Sequence, residues 1–134
     1  VTDENRRENV AAEIAASRRA REAAQRNAAA GDLATAMNRL YFAALHAAKA
    51  ACLSEGVDPK THRGLKSLLA LRFVHAGKLP DWIATVYAQL ETDRDLSDYA
   101  ATFSMTAERY AERSAQADRL LGEIERYLRA GRWL

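Results

Sequence analysis

The chain carries one cysteine, two prolines, six glycines and only 7% aromatic residues in 134 positions. A lone cysteine, Cys52, cannot close an internal disulfide, which excludes a small stapled scaffold and fits a reducing compartment. Scarce proline and glycine leave little material for many tight turns, and β-branched and aromatic residues, the usual strand formers, are few. A β-rich fold is therefore not expected. No uncharged run approaches the roughly 18 residues of a membrane span. The first residues, with Asp3, Glu4, Arg6, Arg7 and Glu8, lack the apolar core of a signal peptide. These absences predict a soluble, cytoplasmic protein with no membrane contact.

What is abundant is alanine, 29 residues, and arginine, 16 against 4 lysines. Both have high helix propensity. Net charge is +2, from 20 basic and 18 acidic side chains, so any nucleic-acid binding needs a local patch rather than a charged whole. A first helix is expected from Asp3 to about Ala30, with Val10 and Ile14 its only large apolar residues. Its surface would be supported by Arg18, Glu22 and Arg26 at four-residue spacing. Gly31 closes it and Asp32 caps a second helix, Leu33 to about Glu55, which Gly56 ends. Thr61 caps a shorter third helix holding Leu65, Leu68, Leu69 and Phe73. Pro80 and Asp81 start a fourth, whose Trp82, Ile83, Val86, Tyr87 and Leu90 follow the 3.6-residue period. After Arg94 the stripe fails, and Ser97 to Met105 reads as a loop. Thr106 opens the last helix, which runs to about Ala130. Short connections make neighbouring helices antiparallel. The expected fold is all-α, a single domain over residues 1–134: an antiparallel up-and-down bundle of four longer helices plus one short helix.

The second helix concentrates the chemistry, because Asn38, Arg39, Tyr41, Phe42, His46 and Lys49 interrupt alanine packing. Arg39 and His46, seven residues apart, leave the same face, with their Cα atoms ~10.5 Å apart. Two explanations are open. Arg39 pairs with Asp95 or Asp98 to set helix register, or the face works on phosphate. RNA cleavage deprotonates a 2′-hydroxyl, stabilises a charged phosphorane and protonates a leaving oxygen. Histidine and arginine suit those roles, and a twofold dimer would supply a second pair. His62, Arg63 and Lys66, beside Lys60, form a basic start to the third helix and a candidate phosphate contact. His75 reads as a surface residue. No spacing fits a zinc site, and neither a phosphate-binding glycine loop nor a nucleophile elbow is present, so neither a metal nor a cofactor is expected.

Several stretches resemble the HEPN superfamily, and within it the small prokaryotic HEPN-domain proteins. They are Asn38-Arg39-Leu40-Tyr41-Phe42-Ala43-Ala44-Leu45-His46-Ala47-Ala48-Lys49-Ala50, then Glu55-Gly56-Val57-Asp58-Pro59-Lys60-Thr61-His62-Arg63-Gly64. Phe73-Val74-His75-Ala76-Gly77-Lys78-Leu79-Pro80, Arg94 and Asp98-Tyr99 follow. The resemblance implies an antiparallel helical bundle that commonly forms a homodimer. Many HEPN proteins are metal-independent ribonucleases, often toxins paired with a minimal nucleotidyltransferase antitoxin. They use an arginine and a histidine with four to six residues between them. Arg39 and His46 have six. Leu40 follows the arginine where active members usually carry a polar residue, which here is Asn38 on the other side. The pair also lies on the second helix rather than toward the last. The resemblance thus implies an endoribonuclease in which His46 handles protons and Arg39 holds the scissile phosphate, assisted by Lys49 or Tyr41. Some HEPN members are non-catalytic, and the alternative is a module that binds a nucleotidyltransferase, a nucleotide or RNA, with Arg39 structural and His62, Arg63 and Lys66 contacting phosphate.

Overall fold

A computed structural model describes residues 2–134, most of which are helical, with no strand among them. Helix α1, Asp3–Ala29, starts where the Thr2 hydroxyl accepts the Asn5 N–H at 3.1 Å. Its buried stripe is thin: Val10, Ile14, Ser17, Ala20 and Ala24. The Arg18–Glu22–Arg26 ladder expected on its surface gives way to bonds across the bundle. Arg18 reaches Glu125 and Arg21 reaches Asp118, each at 2.6 Å. Gly31, at φ 84°, reverses the chain in a backbone conformation that a side chain would strain.

Helix α2, Leu33–Ser54, is capped by Asp32, whose carboxylate accepts the Thr35 N–H. It lies at the centre of the bundle and packs against α1, α4 and α5. Thirteen of its 22 residues are buried, and seven of those are alanines, small enough for neighbouring backbones to come close. The Ser17 hydroxyl shows this closeness by donating to the Ala43 carbonyl at 2.7 Å.

Helix α3, His62–Leu68, begins at the Thr61 cap, whose hydroxyl accepts the Gly64 N–H at 2.9 Å. It widens into a π-helical turn, Leu69–Val74, with His75 N–H bonded to the Ala70 carbonyl five residues back at 2.8 Å. Leu65, Leu69 and Phe73 enter the core, while Leu71 is left 63% exposed.

Helix α4, Trp82–Tyr99, extends past the expected break at Arg94 into the stretch that reads as loop. Its last turn has no apolar stripe because polar partners hold it. Arg94 Nη1 lies 3.9 Å from Asp98 Oδ2, which also accepts a 3.0 Å bond from Asn38 on α2. Helix α5, Ala107–Ala130, opens at Thr106 as expected and inserts Tyr110, Ala117, Leu120, Ile124 and Leu128. The fold is the expected all-α arrangement of four long helices and a short one. Among the described residues no helix is long and apolar enough to cross a membrane.

Candidate functional site

Helices α1 and α2 leave a groove of about 370 Å³ between them. Ala16, Ala20 and Ala23 line it from α1, and their small side chains keep it open. Four long polar side chains enter it: Arg19 and Arg26 from α1, and Arg39 and His46 from α2. Each pair is seven residues apart, so each comes off one face of its helix. The groove is thus formed by two antiparallel stripes meeting, and Arg39 and His46 both open onto it.

Arg19 and Arg26 make no ion pair among the described residues. Arg39 directs Nε and Nη2 at the neutral Oδ1 of Asn38, at 3.0 and 2.7 Å, and rests its guanidinium 4.9 Å from the Phe42 ring centre. The pairing of Arg39 with Asp95 or Asp98 is not found. Arg94 lies beside those two carboxylates, at 3.3 and 3.9 Å, and Asn38 connects Asp98 to α2. At the other end, His46 Nδ1 sits 2.7 Å from Glu13 Oε2, and Lys49 Nζ is 3.8 Å from the other oxygen of the same carboxylate. A carboxylate on Nδ1 orients the ring and favours the tautomer with Nε2 available as a base. The groove therefore combines three guanidiniums that lack carboxylate partners with a histidine held by one. In chemical terms that combination suits an oxyanion and a proton exchanged with it.

The remaining sequence candidates lie elsewhere. Tyr41 is fully buried, with its hydroxyl 3.3 Å from His62 Nδ1, which places it to orient His62 and not to touch a ligand in the groove. His62, Arg63 and Lys66 line a second, larger hollow of about 640 Å³ between α3 and α4, together with Glu91 and Arg94. Lys66 is paired with Glu91 at 2.8 Å. His75 is exposed beyond the π-helical turn. Cys52 is 1% exposed, and burial, with Glu55 nearby, pushes its thiol up to about 11, so it fills the core as an inert thiol. Among the described residues, no three His, Cys, Asp or Glu side chains gather into a metal-binding group.

The sequence assigns no site role to four contributors: Glu13, Arg19, Arg26, which reads only as part of a surface ladder, and Arg94, which enters only through the HEPN resemblance. Arg19 and Arg26 carried a signal, the same seven-residue spacing as Arg39 and His46 on the helix that follows the turn. Glu13 carried none, and the HEPN resemblance includes Arg94 without a role, because nothing local says which of many charged residues will face His46 or Phe42.

Comparison with known proteins agrees with this architecture. The chain is 39% identical over 62 residues to a UPF0332 protein of Pyrococcus horikoshii, a match covering 46% of this chain. It spans only 41% of that relative's length. It is also 28% identical over 91 residues to a protein of Methanocaldococcus jannaschii named "Putative toxin", covering 61% of this chain and 68% of the relative. The HEPN domain family matches residues 12–129, from within α1 to the last turn of α5, and this chain belongs to that family.

Proposed function

We propose that this HEPN protein is a toxin-type endoribonuclease that works without a metal, with the α1–α2 groove as its active site. The reading rests on one observation: Arg19, Arg26 and Arg39 enter the groove without carboxylate partners, beside a histidine anchored by Glu13. A phosphodiester supplies the missing negative charge. Arg39, whose planar fork matches phosphate oxygens, holds the scissile group, and Arg19 and Arg26 hold the strand along α1.

His46 Nε2 takes the proton from the ribose 2′-hydroxyl. The freed oxygen attacks phosphorus, the bond from phosphorus to the 5′-oxygen breaks, and that oxygen leaves with a proton. The products are a 2′,3′-cyclic phosphate and a 5′-hydroxyl. In an in-line displacement the two oxygens lie on opposite sides of phosphorus, so a second proton carrier is needed. A twofold homodimer that sets a second His46 across the cleft provides it, with Lys49 as the nearest ammonium in the same chain. The resemblance to HEPN toxins adds a minimal nucleotidyltransferase antitoxin as the partner that restrains the activity.

The test is cleavage of end-labelled single-stranded RNA in excess EDTA. His46→Ala and Arg39→Ala should each lower the rate at least ~10²-fold. The matching DNA strand, which has no 2′-hydroxyl, should survive. RNA left intact by the wild-type protein, or cut equally well by His46→Ala, overturns the nuclease reading. RNA binding that persists without turnover and weakens with salt would then assign the protein to the non-catalytic binding modules.

A further inference from the structure

The hollow between α3 and α4 has the makings of a second phosphate site. Arg94 is its distinctive member. Its side chain is 13% exposed, and its guanidinium lies over three aromatic rings, 4.6 Å from Tyr41, 5.7 Å from Phe42 and 6.0 Å from Tyr99. Its Nε is buried and makes no hydrogen bond. Asp95 and Asp98 lie 3.3 and 3.9 Å from its nitrogens, but neither accepts a hydrogen bond from it, so a guanidinium with five N–H donors keeps bonding capacity to spare. Arg63 lines the same hollow, exposed and without an ion pair among the described residues. Among the described residues Glu91 is the only acid lining it, and Lys66 takes it up. Among the lining residues Arg63 and Arg94 are left as positive charges, with Asp95 and Asp98 beside Arg94 but outside the lining.

Phe42 connects this hollow to the α1–α2 groove. Arg39 lies 4.9 Å and Arg94 5.7 Å from the centre of the same ring, so the two guanidinium carbons are within about 11 Å of each other. Between ~3.4 Å per nucleotide when stacked and about twice that when extended, one to three nucleotide steps cover the distance. We infer that the α3–α4 hollow binds a neighbouring phosphate of the same single strand whose scissile phosphate sits at Arg39, with Arg94 and Arg63 as its ligands. The inference rests on the reading of the groove as a phosphodiester site, and it adds a length requirement: a dinucleotide fills only the groove, while a longer strand fills both.

The experiment uses fluorescein-labelled 2′-O-methyl oligoribonucleotides of two and six residues, which cannot be cleaved, and reads binding by anisotropy over a range of salt. The hexamer should bind at least ~10-fold more tightly than the dimer. Arg63→Glu and Arg94→Gln should each weaken hexamer binding roughly 5- to 10-fold and flatten its salt dependence by ~0.7 for each phosphate no longer neutralised. Thermal melts establish that each variant is folded, and Arg63, exposed on α3, carries the test if Arg94→Gln is not. Equal affinity for the two lengths, or wild-type hexamer binding by Arg63→Glu, overturns the proposal. The outcome is separate from cleavage: a length effect with no RNA cutting sinks the nuclease and keeps the second site, while RNA cutting with no length effect does the reverse.

Discussion

His46 on α2 and Glu13 on α1 meet at 2.7 Å across 33 residues of sequence, joining the two walls of the groove through the side chain that would move the proton. The carboxylate orients the ring without entering the groove lining itself. Glu13 is therefore a positioning residue. Glu13→Ala should lower kcat for RNA cleavage roughly 10- to 100-fold with a much smaller change in KM, and Glu13→Gln, which keeps an acceptor, should recover part of the loss. Equal effects on kcat and KM, or no gain from glutamine, would show that Glu13 serves the fold only.

Arg19 and Arg26 crowd positive charge into the groove without any carboxylate to balance it. Removing both by the double change to glutamine should leave the urea midpoint unchanged or slightly higher. The same change should weaken RNA binding about 10-fold and reduce the salt slope by ~1.4, two phosphates at ~0.7 each. A folding loss without a binding loss would place these arginines among the structural ones.

Asp93 is 1% exposed and sits between two guanidiniums, Arg109 Nη2 at 2.7 Å and Arg113 Nε at 2.8 Å. Burial alone would raise its carboxyl, but the bonds from Arg109 and Arg113 outweigh burial and hold it below the ordinary range. A group lowered in the folded state stabilises fully above its unfolded value, ~3.9, and that stability is lost as pH falls through the folded value. Urea midpoints taken from pH 7 down to pH 2 should fall below about pH 4, and less steeply in Asp93→Asn. Asp93→Ala, which strands two arginines, should cost about 3 kcal/mol at neutral pH.

Cys52 gives a simple probe of how tightly the core is closed. With its thiol buried and pushed up to about 11, a disulfide reagent at pH 8 should label the native protein only as fast as it opens. Labelling should be immediate in concentrated guanidinium. Stoichiometric reaction within seconds under native conditions would mean that α2 is not held as described.

Tyr87 is fully buried, and among the described residues no group stands in good hydrogen-bonding geometry to its hydroxyl, although the Tyr41 hydroxyl is close enough to interact with it. An unpaired buried hydroxyl costs its desolvation, so Tyr87→Phe should be neutral or stabilising by ~1 kcal/mol in urea unfolding. A destabilisation larger than that would reveal a partner to the hydroxyl.

Most of the architecture is legible in the sequence because its signals are local. Asp32, Thr61 and Thr106 each accept the predicted capping bond, and Gly31 and Gly56 reverse the chain at positive φ. The misreadings share one physical cause. The end of α4 and the partners of Arg18, Arg39 and His46 are decided by charged side chains meeting across the bundle, and hydrophobic periodicity says nothing about those meetings. Arg39 and His46 could be placed on one face from their spacing alone. That α1 would bring Arg19, Arg26 and Glu13 to the same face could not, because it depends on how closely two alanine-rich helices approach.

The tight turn at Gly31 bears on how the protein assembles itself. All the side chains that line the α1–α2 groove, together with Glu13, fall between residues 13 and 46, within one pair of consecutive helices. Contacts of such short sequence separation cost less loop-closure entropy than contacts between distant segments. The groove is therefore closed by a single turn of the chain, and α4 and α5 pack on α2 to support it. Its chemistry is encoded in roughly a quarter of the chain, and the rest sets how long that geometry lasts.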